Sequence, residues 1–316
     1  MNSLLIIGEC MMELNTQSSN AFSYSFAGDT YNTAVYAKRW QSSLKVSYLT
    51  SVGTDATSEK MLDSWSEESI DASLVLTVKD KQPGIYLITT DDDGERTFNY
   101  WRKDSAATKL ITALEQRGGI DSVPDFDYVY FSGISLAILS DKDKTILLDL
   151  VTTLRERGAK IAFDPNYRAT MWHDEVEARL WIERAYQCCD MVLPGLDEHQ
   201  LLFAHNTPQE VRDHLQQFSV VESVVKCGEL GICCYGLNDS FIHLPFTPAK
   251  VQVDTTAAGD SFAGTYLASR IAGESRGNSL KNAASVAGFV VQHKGAIVDK
   301  ALYQQFISSL DMAYDE

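Results

Sequence analysis

The chain has 316 residues, of which 45% are hydrophobic and 22% charged, a composition typical of a globular α/β protein and unlike that of a disordered or collagen-like chain. Its net charge of −16 argues against a nucleic-acid partner, because such partners need a positive field along the phosphates. No apolar run approaches the ~18 residues of a membrane span, and the six cysteines form no CxxC motif. We therefore expect a cytoplasmic protein with reduced thiols and no membrane partner.

The first predicted elements alternate between short apolar strands and helices. Strands are predicted at residues 4–8 and 45–52, and helices at 30–41 and 55–67. Strands and helices in alternation favour a parallel sheet that is covered on both faces.

A different pattern follows, in which aromatic and polar residues are mixed. Asp93-Gly94 is a strong hairpin signal between two of the predicted strands. These antiparallel strands are predicted at residues 73–78, 84–90 and 96–102. We expect a small antiparallel β lid, formed by roughly residues 10–27 and 73–102.

From residue 128 the alternation of strands and helices resumes. Further strands are predicted at 128–133, 160–164, 191–193, 223–226, 232–235 and 241–244, and further helices at 141–157, 174–187, 259–272 and 279–293. No repeat or linker divides the chain. The predicted fold is therefore a single α/β domain over residues 1–316, with a mainly parallel central sheet, helices on both faces and the lid.

The strongest motif is DTTAAGDSFAG at Asp254–Gly264. Small residues at Ala257, Ala258 and Gly259 precede a predicted helix, so backbone N–H groups and the helix dipole can approach an anion there. Asp260 lies in the first turn, where a carboxylate can accept the proton of a substrate hydroxyl. The alternative interpretation is a helix-capping aspartate after a glycine turn.

A second motif, AGDTYN at residues 27–32, opens the first predicted helix. The alternative interpretation of this motif is a helix cap, with Asp29 or Thr30 as the capping residue. Asn32, however, lies within the first turns, where asparagine is a poor helix former, and its amide is available to bind a hydroxyl.

Other nucleotide and metal motifs are absent from the sequence. It contains no GxxxxGK[ST] loop, no GxGxxG after the first strand, and no HExxH or GxSxG motif. A NAD-linked enzyme and a zinc enzyme are therefore disfavoured.

The two motifs, in this order and at this distance, resemble the two signatures of ribokinase-like (PfkB) carbohydrate kinases. The resemblance spans the chain. Within the family, several stretches resemble the subgroup that phosphorylates 2-keto-3-deoxygluconate: GECMMEL (8–14), GERTFNYWR (94–102), FSGISLAILS (131–140) and FDPNYR (163–168). The implied activity is transfer of the ATP γ-phosphoryl group to the primary hydroxyl of that sugar acid, with Mg²⁺ as cofactor. The sequence leaves open whether a monovalent cation is also required.

The resemblance also implies a role for each residue of the site. Asp260 is the implied catalytic base, and Ala257, Ala258 and Gly259 are the implied anion hole. The implied sugar-binding residues are Gly28, Asp29, Asn32, Tyr86, Tyr100, Arg102 and Arg168. The implied ATP-binding residues are Asn166, Lys226, Gly228 and Gly231, and Glu198 is the residue that organises Mg²⁺ through water.

Two arginines, and a few positions that differ from the usual family sequence, bear on substrate choice and metal binding. Arginine is the preferred bidentate partner of a carboxylate, so Arg102 and Arg168 suit a sugar acid. Gly195 stands where many family members have asparagine, which bears on metal coordination, and Ala27 and Ala257 replace glycines. Exposed edges of the lid favour a homodimer. The alternatives are a kinase for fructose or ribose and a non-catalytic sugar-binding sensor.

Overall fold

The computed structural model describes residues 2–18, 21–90, 96–237 and 240–314. Its strands are β1 (Ser3–Ile7), β2 (Met11–Ser18), β3 (Ala21–Ala27), β4 (Lys45–Leu49), β5 (Ser51–Val52), β6 (Leu76–Thr77), β7 (Gly84–Thr90), β8 (Arg96–Trp101), β9 (Tyr128–Ser132), β10 (Lys160–Asp164), β11 (Met191–Val192), β12 (Glu222–Lys226), β13 (Ile232–Tyr235) and β14 (Phe241–Leu244). Its helices are α1 (Asp29–Trp40), α2 (Ala56–Glu67), α3 (Leu110–Arg117), α4 (Gly133–Ala137), α5 (Asp141–Glu156), α6 (Glu175–Gln187), α7 (Leu196–Phe203), α8 (Pro208–Gln216), α9 (Ala258–Ile271), α10 (Arg276–Val290) and α11 (Lys300–Tyr314).

Eight strands form the central sheet, in the order β14-β13-β12-β11-β10-β9-β1-β4. Pairing is parallel from β4 to β12 and antiparallel from β12 to β14. Successive side chains of a strand point to opposite faces. Leu5 and Ile7 of β1 therefore join the core on one face, and Leu4 and Ile6 join the core on the other. The predicted α/β fold, with helices on both faces, is confirmed.

A second sheet, which we call the lid, has the order β3-β2-β7-β8. Its two hairpins, β2–β3 and β7–β8, are antiparallel, and the central pair β2–β7 is parallel. The inner face buries Met11 and Tyr86, whereas Phe22, Tyr24 and Trp101 on the outer face are 58%, 49% and 59% exposed. The lid therefore carries large apolar side chains on both faces.

One predicted lid strand is wrong. Only Leu76–Thr77 of the predicted strand at residues 73–78 is extended, and it pairs in parallel with Ser51–Val52 beside the main sheet. The second part of the lid begins at Gly84 rather than at residue 73. The predicted Asp93-Gly94 turn lies outside the described residues.

Two helices that begin at the same end of the molecule bring the predicted motifs together. Helices α1 and α9 pack closely, and a Cβ on Gly264 would lie 2.4 Å from the backbone oxygen of Thr33. Only glycine permits this approach. The first turns of the two helices consequently meet where strands β9, β10 and β12 end. Within the described residues, no helix has the length and apolar run needed to cross a bilayer.

Candidate active site

A cavity of about 1210 Å³ lies between the lid, the ends of the parallel strands and the first turns of α1 and α9. It is large enough for two small substrates, since ligand pockets typically measure about 300–1,000 Å³. All the predicted site residues line this cavity except Gly231, which lines an adjoining one.

Asp260 and Asn32 form the centre of the cavity. Asn32 Nδ2 donates to Asp260 Oδ2 at 2.8 Å, across the α1–α9 contact. Burial of the carboxyl group and then the negative charge of Asp29 raise the pKa of Asp260 to about 7, and the Asn32 hydrogen bond opposes this shift. A carboxylate with a pKa near neutrality is suited to accept a proton. Asn166, predicted to face the nucleotide, donates from Nδ2 to Asp29 Oδ2 at 3.0 Å.

The start of α9 is built to present backbone N–H groups. Ala257 adopts a left-handed conformation with φ of 60°, which turns the chain into the helix. Asp254 fixes this turn, because Oδ1 accepts from Thr256 N at 2.9 Å and Oδ2 from Gly295 N at 2.7 Å. The amides of Ala258 and Gly259 therefore lie at the positive end of a helix, where an anion is stabilised, although Ala258 N also donates to Thr255 O at 3.2 Å.

Lys226, at the end of β12, adds a positive charge beside this helix start. A Cβ on Gly259 would lie 4.0 Å from Lys226 Nζ. Lys226 Nζ also donates to Asp164 Oδ2 at 2.7 Å. Burial of the amine disfavours its charge, but Asp164 and then Glu198 outweigh that effect and raise the pKa of Lys226. Lys226 therefore remains protonated beside the helix.

Glu198 is a buried carboxylate in the first turn of α7. Its Oε2 accepts from Gly195 N at 3.0 Å, so the side chain folds back over its own helix start. Burial raises the pKa of Glu198 above its ordinary value, whereas the charge of Lys226 lowers it. A Cβ on Gly195 would lie 2.5 Å from Asp197 Oδ1 and 3.2 Å from Glu198 Cδ. The glycine that replaces the family's asparagine thus leaves room for this arrangement.

An aromatic surface covers the lid side of the cavity. The rings of Tyr86 and Tyr100 have centroids 5.6 Å apart, and Phe98 stacks on Tyr100 at 6.3 Å. The Tyr86 hydroxyl donates to the carboxylate of Glu13, which is only 1% exposed. This hydrogen bond fixes Tyr86, and the neighbouring rings give the lid side of the cavity an apolar wall.

The two predicted carboxylate-binding arginines differ in their contacts. Arg102 is paired with the buried carboxylate of Glu9 through both Nε, at 2.8 Å, and Nη2. Arg168 is exposed, donates from Nη1 to its neighbour Tyr167 O at 3.2 Å, and forms no ion pair within the part of the chain that the structure describes. Arg168 is thus the arginine whose charge is available to an anion.

A second cavity of about 700 Å³ adjoins the first and shares Gly228, Thr255 and Ala258 with it. Gly231 lines this cavity, with φ of 87° and a Cβ position 2.2 Å from the oxygen of Leu244. Sequence reasoning missed most of its walls, since no motif marks the segment between β14 and α9. These walls include Ile232, Leu244, Pro245, Phe246, Ala284 and Gly288. An apolar cavity beside an anion-binding helix suits the base of a nucleotide.

Comparisons with known proteins identify relatives of this chain. Two curated relatives are named 2-dehydro-3-deoxygluconokinase. The protein of Escherichia coli K12 is 36% identical and that of Dickeya dadantii 37% identical, each match covering 94% of this chain and 97% or 96% of the relative.

Solved structures share the fold at lower identity. An E. coli structure described as a putative ribokinase II in complex with ATP and Mg²⁺ superposes with a TM-score of 0.82 at 22% identity, covering 98% of this chain and all of the other. A PfkB protein from Polaromonas gives 0.81 at 24% identity, covering 96% of this chain and 99% of the other. The sequence profile of the pfkB family of carbohydrate kinases matches residues 1–301, and this chain belongs to that family.

Proposed function

We propose that this chain transfers the γ-phosphoryl group of ATP to the primary hydroxyl of 2-keto-3-deoxy-D-gluconate (2-dehydro-3-deoxygluconate), giving the 6-phosphate. The observation that carries the proposal is one cavity that holds Asp260, the amino terminus of α9 and Arg168, which has no ion-pair partner among the described residues. Relatives named for this reaction, at 36–37% identity over 94% of the chain, support the choice of substrate.

Asp260 orients the primary hydroxyl and accepts its proton as the new O–P bond forms. Asn32 holds the carboxylate in place through its hydrogen bond of 2.8 Å. Phosphoryl transfer requires little covalent help, so positioning and charge stabilisation supply most of the rate. A carboxylate that takes the proton late need not be a strong base.

The anion hole consists of Ala257, Ala258 and Gly259. Its backbone amides hold the negative oxygens of the phosphoryl group during transfer. Charge that develops in a transition state is stabilised most by donors that are already oriented. Lys226 adds its ammonium group to the same place, and Gly228 and Gly231 allow the backbone to approach the nucleotide. Asn166 completes the predicted nucleotide set, although its amide contacts Asp29.

The residues present fit Mg²⁺. This ion is held by one or two carboxylates together with water and substrate phosphates. Glu198 and Asp164, both on the cavity wall near Lys226, supply two carboxylates. Among the described residues there is no group of three His, Cys, Asp or Glu that would form a protein-only metal cage. Glu198 and Asp164 would hold the ion, which would supply positive charge to neutralise the nucleotide phosphates.

The sugar acid occupies the lid side of the cavity. Arg168 binds the carboxylate, because a guanidinium matches its geometry and this one has no other ion-pair partner among the described residues. Gly28, Asp29 and Asn32 contact the hydroxyls. Tyr86 and Tyr100 cover the carbon chain with apolar ring surface.

A substrate panel tests the proposal. Purified protein, ATP and Mg²⁺ are combined with 2-keto-3-deoxygluconate, its galactonate-derived epimer, gluconate, fructose and ribose, and ADP release is followed. We expect the keto acid to give the highest kcat/KM, and phosphorus NMR to place the phosphate on the terminal carbon. Faster phosphorylation of fructose or ribose would exclude the proposed substrate. Repeating the assay with K⁺, Na⁺ or neither decides whether a monovalent cation is required.

We also propose a homodimer formed through the outer face of the lid. Phe22, Tyr24 and Trp101 are 58%, 49% and 59% exposed on this face, and a second copy would cover them. Sedimentation velocity should give a dimer for the wild type and a monomer for Phe22→Glu. The matched change Val176→Glu, at a 68% exposed position on α6, should leave the dimer intact. A monomeric wild type would refute this assembly.

The proposed compartment is the cytoplasm. It supplies ATP, and its reducing environment suits the six cysteines, all of which are thiols.

A further inference from the structure

Glu9, between β1 and β2, is a buried acid that the proposed reaction does not use. Its side chain is 1% exposed. Oε2 accepts from Nε of Arg102 at 2.8 Å and from Nη2 of the same guanidinium, and Oε1 accepts from Ser105 Oγ. Both carboxylate oxygens are thus engaged by residues that lie more than ninety positions away in the sequence.

All four points at which the chain passes between the main body and the lid meet at this residue. Glu9 itself precedes β2. A Cβ on Gly28, which follows β3, would lie 2.4 Å from Glu9 O, and one on Gly84, which opens β7, would lie 2.9 Å from Glu9 Oε1. Arg102 follows β8. The two glycines therefore give the room in which Glu9 packs against every crossing.

The Glu9–Arg102 ion pair also extends to the side of the cavity proposed to bind the sugar. Arg102 Cζ lies 5.9 Å from the centroid of Tyr100, and Arg102 Nη1 lies 3.6 Å from Met171 Sδ, three residues after Arg168. With Nε and Nη2 held by Glu9, only the Nη1 edge of the guanidinium is left to face the cavity. The orientation of Arg102 thus depends on Glu9.

We propose that Glu9 is a positioning residue that acts through Arg102. It fixes the guanidinium at the lid crossings and so sets the lid side of the sugar site. The inference rests on the proposed function, because it assumes that Arg102 and Tyr100 contact the sugar acid. Glu9 also neutralises Arg102, which leaves recognition of the substrate carboxylate to Arg168.

A kinetic double-mutant cycle tests the proposal on the full-length enzyme. Glu9→Gln, Arg102→Gln and the double variant are compared, with ATP and 2-keto-3-deoxygluconate varied in turn. A misplacement of about 1 Å costs about 100-fold in rate, so we expect Glu9→Gln to lower kcat/KM for the sugar acid by about that factor and to leave KM for ATP unchanged. Because Glu9 acts through Arg102, the double variant should equal Arg102→Gln alone.

A second ion pair supplies the matched control. Glu68 accepts from Arg39 at 2.9 and 2.7 Å, far from the lid crossings. Both Glu68→Gln and Glu9→Gln should lower the melting temperature, but Glu68→Gln should leave KM for the sugar acid unchanged.

Each outcome of the cycle decides the matter. Losses that multiply in the double variant would overturn the positioning role, as would a Glu9→Gln effect on KM for ATP equal to that for the sugar. If Glu9→Gln fails to fold, the neutral double variant is compared with Arg102→Gln. Equality supports the proposal and a further loss overturns it. A wild type that ignores the keto acid would instead refute the proposed substrate, and the cycle would be run with the sugar it accepts.

Discussion

Replacing Asp260 by asparagine should lower turnover strongly and at the same time make the protein more stable at alkaline pH. The change is isosteric, and the oxygen of the new amide can still accept from Asn32 Nδ2. A positioned base contributes about 10²- to 10⁴-fold to the rate, so kcat should fall at least a hundredfold. ATP binding should persist, since the helix amides and Lys226 are unchanged.

The gain in stability follows from the raised pKa of Asp260. A carboxyl whose pKa is about 7 in the folded chain, against 3.8 normally, destabilises the folded state whenever it is ionised. At ~1.4 kcal/mol per pH unit this difference sets an upper limit of about 4 kcal/mol. Solvent that enters the open cavity reduces the cost, and we expect about 2 kcal/mol.

The test depends on the direction in which the free energy of unfolding changes with pH. Between pH 4 and pH 7 the unfolded chain releases the proton of Asp260 and the folded chain keeps it, so the wild type loses stability as pH rises. Urea unfolding of both proteins at pH 5, 6, 7 and 8 measures the difference. The asparagine variant should be more stable by an amount that grows up to pH 7 and is then constant. A difference that does not vary with pH, or a variant less stable at pH 8, would refute the reasoning.

Three further predictions concern turnover. Since Asp260 must be ionised to accept a proton, kcat/KM of the wild type should fall about tenfold per pH unit below pH 7 and level off above it, in buffers of constant ionic strength. Arg168→Gln should raise KM for the keto acid about 10- to 100-fold and leave KM for ATP unchanged, because it removes a charged hydrogen bond; equal effects on both constants would contradict its role. Gly195→Ala should raise the Mg²⁺ concentration needed for half-maximal rate, since its Cβ displaces Asp197 and Glu198; a titration identical to wild type would show that both side chains move at no cost.

Much of the fold could be predicted because its signals are local. A short apolar strand followed by a helix of amphipathic period identifies a βα unit, and Gly-Asp at two helix starts marks two places where backbone amides meet a carboxylate. The right-handed, parallel connection of such units brings those helix starts to one edge of the sheet. The meeting of Asn32 with Asp260 was therefore within reach of sequence reasoning.

Other contacts between segments that are far apart in the sequence could not be predicted from the sequence. The segment 73–78 has the composition of a strand, but only two of its residues find a partner, and that partner is β5 rather than the lid. Strand propensity reflects the available neighbours more than the residues themselves. The walls of the second cavity were missed for the same reason, since its apolar residues come from separate elements without a common motif.

The ion pair between Glu9 and Arg102 changed the interpretation of the site more than any other feature. Sequence reasoning treated Arg102 and Arg168 as equivalent, because nothing local distinguishes two arginines that follow aromatic residues. The partner that distinguishes them, Glu9, lies 93 residues before Arg102. A guanidinium with a buried carboxylate partner presents little net charge to a ligand, so the two arginines have different roles in the proposed mechanism.

The same cavity holds several carboxylates, and this crowding has a physical consequence. Asp29 and Asp164 both raise the pKa of Asp260, with burial the larger cause. A site for two anionic substrates that is itself rich in acids must supply positive charge locally, and Lys226, Arg168 and the start of α9 do so. Until the substrates bind, the acids repel one another, and the protein is less stable than it would be with neutral residues there. In the proposed mechanism, catalytic competence at Asp260 and stability therefore conflict, as expected where function requires a destabilised group.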